Sequence, residues 1–268
     1  MEINGTRLHV EDTGPGSSGE TIVFSHGLLW DTSLFAPQIA ALRSEYRCIA
    51  WDHRGQGKSA SDHRHCIGIE LVTQDAIALL AALAPGPVHF VGLSMGGFVG
   101  MRIAARRNTL LRSLVLIETS ADPEPTENIG RYRMLTNVVR VLGPRVVGKR
   151  VAQIMLGRTL LTDPDRKGEL ATYIATMSQR RDIWRAVNGV IDRAGIADEL
   201  SRIDLPTLVM VGDEDVATVP AKADALVAAI RGARLVVIPR AGHSSTVEQP
   251  ARVTAGIQDF LADNRRTG

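Results

Sequence analysis

The stretch Val88-His89-Phe90-Val91-Gly92-Leu93-Ser94-Met95-Gly96-Gly97 precedes the helical pattern Phe98 to Arg106. The short apolar run favours a buried strand, so Ser94 falls on a sharp turn between a strand and a helix. Small residues at Gly92 and Gly96 let the chain make that turn. The turn lifts the serine hydroxyl above the sheet, and the N-terminus of the following helix favours a developing oxyanion. Ser94 is therefore a candidate nucleophile.

Strand and helix patterns alternate on both sides of this stretch. The other predicted strands are Thr21 to Phe24, Cys48 to Trp51, Ser113 to Ile117, Thr207 to Val211 and Leu235 to Ile238. The predicted helices are Ala36 to Arg43, Ile69 to Leu83, Met95 to Arg106, Ala221 to Ile230 and Pro250 to Leu261. Short apolar strands alternating with helices predict an α/β fold, with a mainly parallel sheet covered on both faces.

The alternation stops after Glu118, where Asp122-Pro123-Glu124-Pro125 opens a long segment without a clear strand. Apolar residues in this segment recur at helical spacing, which predicts a helical insertion over residues 122–203. Residues 1–121 and 204–268 then form the two parts of one core. An insertion at one end of a parallel sheet is placed to cover a site at the carboxyl ends of the strands, so we expect a helical cap or lid.

A serine nucleophile needs a base, and the base needs a group that orients it. His243 follows the last predicted strand, and a loop with three carboxylates, Asp213, Glu214 and Asp215, follows the strand before it. The carboxyl ends of parallel strands meet at one edge of the sheet, so these groups should approach Ser94. The chain order Ser, Asp, His is the order that this kind of fold uses. The spacing alone leaves open which of the three carboxylates acts.

Acyl transfer also needs two hydrogen-bond donors for the oxyanion. The usual pair is the amide after the nucleophile and an amide from the loop after an early strand. Here that loop is His26-Gly27-Leu28-Leu29. We expect the backbone N–H groups of Leu28 and Met95 to form the oxyanion hole.

Composition limits the kinds of partner. The 31 basic and 29 acidic residues give a net charge of +2 without a basic stripe, so we expect no nucleic-acid partner. No apolar run reaches the about 20 residues needed to span a bilayer, and the first residues lack a leader pattern, so we expect a cytoplasmic protein without a membrane partner. Two cysteines, Cys48 and Cys66, indicate neither a metal site nor a disulfide framework. The sequence carries no signal for an oligomeric state.

Together these motifs resemble the α/β-hydrolase superfamily. The matching pieces also include Asp52-His53-Arg54-Gly55-Gln56-Gly57-Lys58-Ser59, Gly212 to Asp215 and Gly242-His243. The resemblance implies an eight-stranded sheet with a helical cap, and it selects Asp215 as the acid. It also implies that the Asp52 to Ser59 segment is a structural turn. The narrower likeness, to 3-oxoadipate enol-lactonases and small carboxylesterases, rests on Gly92 to Gly97 and Phe35 to Leu42.

The resemblance implies hydrolysis of a small carboxylic ester or lactone through an acyl-enzyme, without a metal or another cofactor. The alternatives are a hydrolase of carbon–carbon bonds, a perhydrolase or haloperoxidase, and a ligand receptor on the same fold. Serine at position 94 argues against haloalkane dehalogenases and epoxide hydrolases, which place aspartate there. We expect a small-molecule substrate in a pocket lined by Leu29, Trp30, Tyr132, Met134 and Trp184.

Overall fold

A seven-stranded sheet runs through the middle of the molecule. The computed structural model describes residues 1–180 and 182–265, and it describes residue 265 in its backbone only. The described residues form nine strands, of which the last seven make up this sheet. They are β1 (Glu2–Ile3), β2 (Thr6–Arg7), β3 (Val10–Asp12), β4 (Thr21–Ser25), β5 (Arg47–Trp51), β6 (Val88–Leu93), β7 (Leu111–Ile117), β8 (Thr207–Gly212) and β9 (Arg234–Ile238). The order in the sheet is β3-β5-β4-β6-β7-β8-β9, with only β3 antiparallel to its neighbour. The expected α/β class with a mainly parallel sheet is confirmed.

The expected count of eight strands is wrong for this sheet, because β1 and β2 pair only with each other. Asn4 (φ 47°) and Gly5 (φ 71°) turn the chain tightly between them. The outer edge of this hairpin bonds to a loop, since the Arg7 carbonyl accepts the Ala60 amide at 2.8 Å. The hairpin therefore lies beside the sheet and adds no strand to it.

Helices cover both faces of the sheet. They are α1 (Ala36–Leu42), α2 (Ile69–Leu83), α3 (Met95–Arg106), α4 (Thr126–Leu142), α5 (Gly148–Met155), α6 (Arg158–Thr162), α7 (Lys167–Met177), α8 (Trp184–Ile191), α9 (Pro220–Ala229), α10 (Ser245–Glu248) and α11 (Pro250–Arg265). Along β4, Ile22 and Phe24 pack toward α1 and α11, whereas Val23 packs toward α2 and α3. This alternation is the period of two expected of a strand buried on both sides. No helix in the described ranges combines the length and apolar character needed to cross a membrane.

The segment between β7 and β8 contains the helices α4 to α8 and no strand in its described part. Helix α4 packs against α8, and α5 packs against α7. Ile196, Leu200 and Ile203, near the end of the segment, belong to the core cluster that also holds α3. The chain has therefore returned to the core before residue 203.

Candidate active site

Ser94 lies on a strained turn at the end of β6. Its φ of 50° is rare for a residue with a side chain, and it directly precedes α3. A Cβ on Gly92 would come within 2.4 Å of the Gly96 carbonyl oxygen, and one on Gly96 within 1.9 Å of the Ser25 carbonyl oxygen. Only glycine fits at these two positions, so the Gly-x-Ser-x-Gly spacing is a steric requirement of the turn.

A chain of hydrogen bonds joins Ser94 to two residues from other loops. His243 Nε2 lies 2.8 Å from Ser94 Oγ, and His243 Nδ1 lies 2.9 Å from Asp215 Oδ2. All three side chains are buried. Because Nδ1 faces a carboxylate, it carries the ring proton, and Nε2 is left to accept the serine proton. The structure thus brings together three residues that lie 28 and 149 positions from one another along the chain.

The three carboxylates of the loop after β8 have different partners. Asp213 accepts a hydrogen bond from the Arg240 amide, and Glu214 accepts hydrogen bonds from Thr159. Only Asp215 reaches His243. The Ala217 and Thr218 amides donate to Asp215 Oδ1 at 2.8 and 3.0 Å, and the Thr218 hydroxyl donates to Oδ2 at 2.7 Å.

These partners keep Asp215 ionised. Burial acts to raise the pKa of Asp215, but the charge of His243 and hydrogen bonds from His243, Glu118 and Thr218 outweigh burial and lower the pKa to about 2. An ionised Asp215 can hold the His243 ring in one orientation and stabilise its protonated form.

Glu118 is a buried acid beside Asp215 that the sequence interpretation did not include. It follows β7 directly, with a φ of 48°, and its carboxyl oxygens accept the Gly212 amide at 2.9 and 3.0 Å. Burial raises the pKa of Glu118 well above its usual range, as do the charge of Asp215 and the hydrogen bond between the two. Glu118 is thereby kept protonated and donates a hydrogen bond to Asp215. Its position directly after a central strand was the available signal.

Glu118, Asp215 and His243 also form a possible metal-ligand set, with ligand atoms within 4.8 Å of one another. The hydrogen bonds among these three residues are those expected when Glu118 and Asp215 share a proton, and they leave few ligand atoms for a metal ion. Both ring nitrogens of His243 already face hydrogen-bond partners, and a protonated Glu118 is a poor ligand.

The loop that carries the expected oxyanion donor Leu28 lies close to Ser94, since a Cβ built on Gly27 would be 3.4 Å from the Ser94 Cβ. Met95 begins α3, where the first amides have no partner within the helix. Within the described residues, neither the Leu28 nor the Met95 amide donates to a protein acceptor.

Gln56 braces both of these positions. Its side-chain oxygen accepts the Leu29 amide at 3.0 Å, and its side-chain nitrogen lies 3.6 Å from Met95 Sδ. Asp52, at the start of the same segment, accepts the amides of Thr32 and Lys58. Neither residue hydrogen-bonds to Ser94 or His243 within the described residues, which agrees with a structural turn.

A cavity of about 170 Å³ opens above Ser94 and His243, and its walls are mostly apolar. Three of the five expected pocket residues line it: Leu29, Tyr132 and Trp184. Met134 does not, because it lies on the outer face of α4 with 61% of its surface exposed. Trp30 does not either; it is buried, donates to the Ser244 hydroxyl at 3.2 Å, and lines a separate small cavity with Leu29. The expectation for Met134 and Trp30 is therefore wrong.

The helical segment is tied to both loops that carry the site. Glu248 accepts the Gly157 amide at 2.7 Å and the Gly242 and Ser244 amides at 3.1 and 3.2 Å. Glu214 accepts the Thr159 amide and hydroxyl, both at 2.7 Å. The start of α6 is thereby connected to the residues on either side of His243 and to the residue before Asp215.

The polar groups of the candidate site converge at the carboxyl edge of a parallel sheet. The sequence pattern of the alpha/beta hydrolase family matches residues 22–256. The chain belongs to this family.

Several relatives and solved structures of similar shape are named as hydrolases. RutD of Pseudomonas savastanoi pv. phaseolicola, named for carbamate hydrolysis, is 28% identical over 90% of this chain and 93% of its own. The 3-oxoadipate enol-lactonase 1 of Acinetobacter baylyi is 26% identical over 96% of this chain and 94% of its own.

The structure of the enol-lactonase from Burkholderia xenovorans LB400 superposes with a TM-score of 0.88 at 29% identity, covering 98% of this chain and 99% of that one. A thermophilic esterase from Thermogutta terrifontis superposes with a TM-score of 0.88 at 28% identity, covering 97% and 94%. These likenesses support hydrolase activity for this chain.

Proposed function

We propose that this protein is a serine hydrolase that cleaves a carboxylic ester or lactone through an acyl-enzyme. The observation that carries the proposal is the hydrogen-bond chain from Ser94 through His243 to Asp215, at the floor of a cavity. A serine hydroxyl alone is a weak nucleophile, and an adjacent base with an orienting carboxylate activates it. The helices α4 to α8 form the cap over this site.

In the acylation step, Ser94 Oγ attacks the carbonyl carbon of the substrate while its proton passes to His243 Nε2. The carbonyl oxygen becomes an oxyanion that accepts hydrogen bonds from the Leu28 and Met95 amides. The intermediate collapses, the bond to the leaving oxygen breaks, and that oxygen takes the proton from His243. Asp215 stays ionised and stabilises the protonated ring.

In the deacylation step, a water molecule attacks the acyl carbon and gives a proton to His243 Nε2. Collapse of the second intermediate returns this proton to Ser94 Oγ and releases the acid. In a lactone the leaving oxygen remains attached to the acyl group, so one molecule of hydroxy acid leaves after deacylation.

The test is Ser94→Ala on p-nitrophenyl acetate, measured in the steady state and as a pre-steady-state burst. We expect the burst to disappear and kcat to fall by roughly 10³-fold or more, because the nucleophile is lost while the fold is kept. Ser33→Ala, at an exposed position near α1, is the control and should behave as the wild type. Full activity in Ser94→Ala would refute the proposal.

Carbamate hydrolysis is the second candidate, favoured by the likeness to RutD. The same serine can attack a carbamate carbonyl, but nitrogen donation makes that carbonyl less electrophilic than an ester. Parallel measurements of kcat/KM on an ester and a carbamate of matched structure show which of the two activities is greater. A receptor on this fold would bind such ligands with no more than one turnover per protein molecule.

A further inference from the structure

Three helices of the cap contribute much of the apolar wall of the cavity above Ser94. Leu135 and Val139 from α4, Val151 and Ile154 from α5, and Val187 and Val190 from α8 face it. Engineered cavities of similar volume with apolar walls stay dry and bind small apolar molecules such as benzene. This part of the site thus favours an apolar group.

The charged groups that line the cavity are all paired. Arg193 Nη1 donates to Glu124 Oε2 at 2.7 Å, and both side chains are at least nine-tenths buried. The remaining Arg193 contacts are the carbonyl oxygens of Asp122 and Val190 and the face of the Phe98 ring, at 4.5 Å from its centroid. The positive charge of Arg193 is thereby matched by Glu124, and its Nε and Nη1 already donate to protein acceptors.

Lys222 is the other cation at the cavity. Its Nζ lies 2.6 Å from Asp122 Oδ2. The ion pairs of Arg193 and Lys222 balance the positive charges at this end of the cavity. A carboxylate on a substrate would have to lose its water and then compete with Glu124 or Asp122 for a cation, which costs free energy.

We propose that the substrate is an uncharged ester or lactone with an apolar substituent of several carbon atoms, held against α4, α5 and α8. This inference rests on the proposed serine hydrolase function and narrows its substrate class. Each methylene group that enters the apolar part adds to the binding of the transition state, whereas an added carboxylate meets two cations that already have carboxylate partners.

The first test compares p-nitrophenyl acetate, butanoate and hexanoate with the p-nitrophenyl monoester of glutaric acid, which has a similar length and a terminal carboxylate. We expect kcat/KM to rise roughly threefold to fourfold for each added CH2 group, until the chain fills the cavity. The glutarate monoester should react about 100-fold more slowly than the hexanoate.

The second test uses two serine substitutions on one helix. Leu135→Ser places a hydroxyl in the cavity wall and should lower kcat/KM for the hexanoate about tenfold, with a change of less than about threefold for the acetate. Leu142→Ser is the matched control, since Leu142 lies on α4 with 64% of its surface exposed and does not line the cavity. This control should leave the ratio of the two esters unchanged.

The outcomes of these tests distinguish failure of the apolar substrate class from failure of the proposed serine hydrolase function. If the acetate and the glutarate monoester react as fast as the hexanoate, or if Leu135→Ser slows both neutral esters equally, the apolar substrate class is refuted and the serine hydrolase stands. If none of the esters reacts and no burst appears, the proposed function itself fails.

Discussion

Individual residues in rare backbone conformations lie directly after the strands that meet at the site. Ser94 follows β6 with φ 50°, Glu118 follows β7 with φ 48°, and Arg240 follows β9 by two residues with φ 60°. Strain of this kind persists only where the surrounding structure holds it. At Ser94 the amide donates to the Ile117 carbonyl at 2.8 Å, and the carbonyl accepts the Thr119 hydroxyl at 2.8 Å. These bonds hold the serine in place.

Glu118→Gln tests the shared proton between Glu118 and Asp215. The folded-state pKa of Glu118 lies above its usual value, so its contribution to stability is complete below about pH 4.5 and is lost as the pH rises through the folded pKa. The glutamine side chain of the variant does not titrate, and it keeps one donor and one acceptor. We therefore expect the free energy of unfolding of the variant, relative to the wild type, to increase with pH above 4.5, by at most about 1.4 kcal/mol per pH unit.

Urea unfolding of both proteins between pH 5 and 8 measures this difference. Glu127→Gln, at an exposed position of α4, is the control. A difference between Glu118→Gln and the wild type that stays constant over the whole range would contradict a protonated Glu118.

At the scale of the elements, the cap is fixed at the start of α6 by two carboxylates from the core. Glu214 comes from the loop that carries Asp215, and Glu248 from the helix after His243. Burial raises the pKa of Glu248, against the hydrogen bonds of three amides. The contacts that attach the cap to the core thus also position the histidine loop.

Glu248→Ala should destabilise the protein by about 2–4 kcal/mol, because three amides that now have a charged acceptor lose it. Thermal and urea unfolding measure the loss. The control is Glu169→Ala on α7, where the carboxylate of the ion pair with Arg166 is 49% exposed, which predicts a change within about 0.5 kcal/mol. Equal stability of the two variants would show that the Glu248 contacts contribute little.

At the scale of the whole molecule, one buried arginine connects three distant segments. Arg54 donates to Asp75 in α2 at 2.7 Å, to Asp62 at 3.0 Å and to the Asn4 carbonyl of the hairpin at 3.1 Å. The segment that carries Arg54 also carries Gln56, which braces the Leu28 loop and α3. The hairpin, α2 and the oxyanion loop are therefore held by one turn.

Arg54→Met should cost about 3–5 kcal/mol of stability, since it leaves Asp62 and Asp75 buried without their cation. Arg231→Met removes an ion pair in which the arginine is 80% exposed, and should leave the denaturation midpoint close to that of the wild type. Denaturant unfolding compares the stability of the two variants. A measurement of kcat at low temperature checks that the active site of the folded Arg54→Met variant is intact. A loss no larger than that of Arg231→Met would overturn this assignment.

Most of the fold could be predicted from the sequence, because it depends on local properties. The period of apolar residues distinguishes a strand from a helix, and every predicted strand and helix of the core is present, with most ends within two residues of their predicted positions. The Gly-x-Ser-x-Gly turn is equally local, since its glycines are required by contacts within the turn and with β4. The number of strands in the main sheet was the exception, because β1 and β2 pair with each other beside that sheet.

The candidate site divides in the same way. The sequence by itself determined that Ser94 occupies a tight turn and that His243 and three carboxylates follow neighbouring strands. The family resemblance selected Asp215 among these carboxylates, and only the tertiary structure showed that Asp215, and neither Asp213 nor Glu214, reaches His243 and that Glu118 joins them. It also decided that Leu135 faces the cavity while Met134 faces solvent. The physical reason is that hydrogen bonds and cavity walls depend on distances between residues far apart in the chain, which spacing along the chain does not contain.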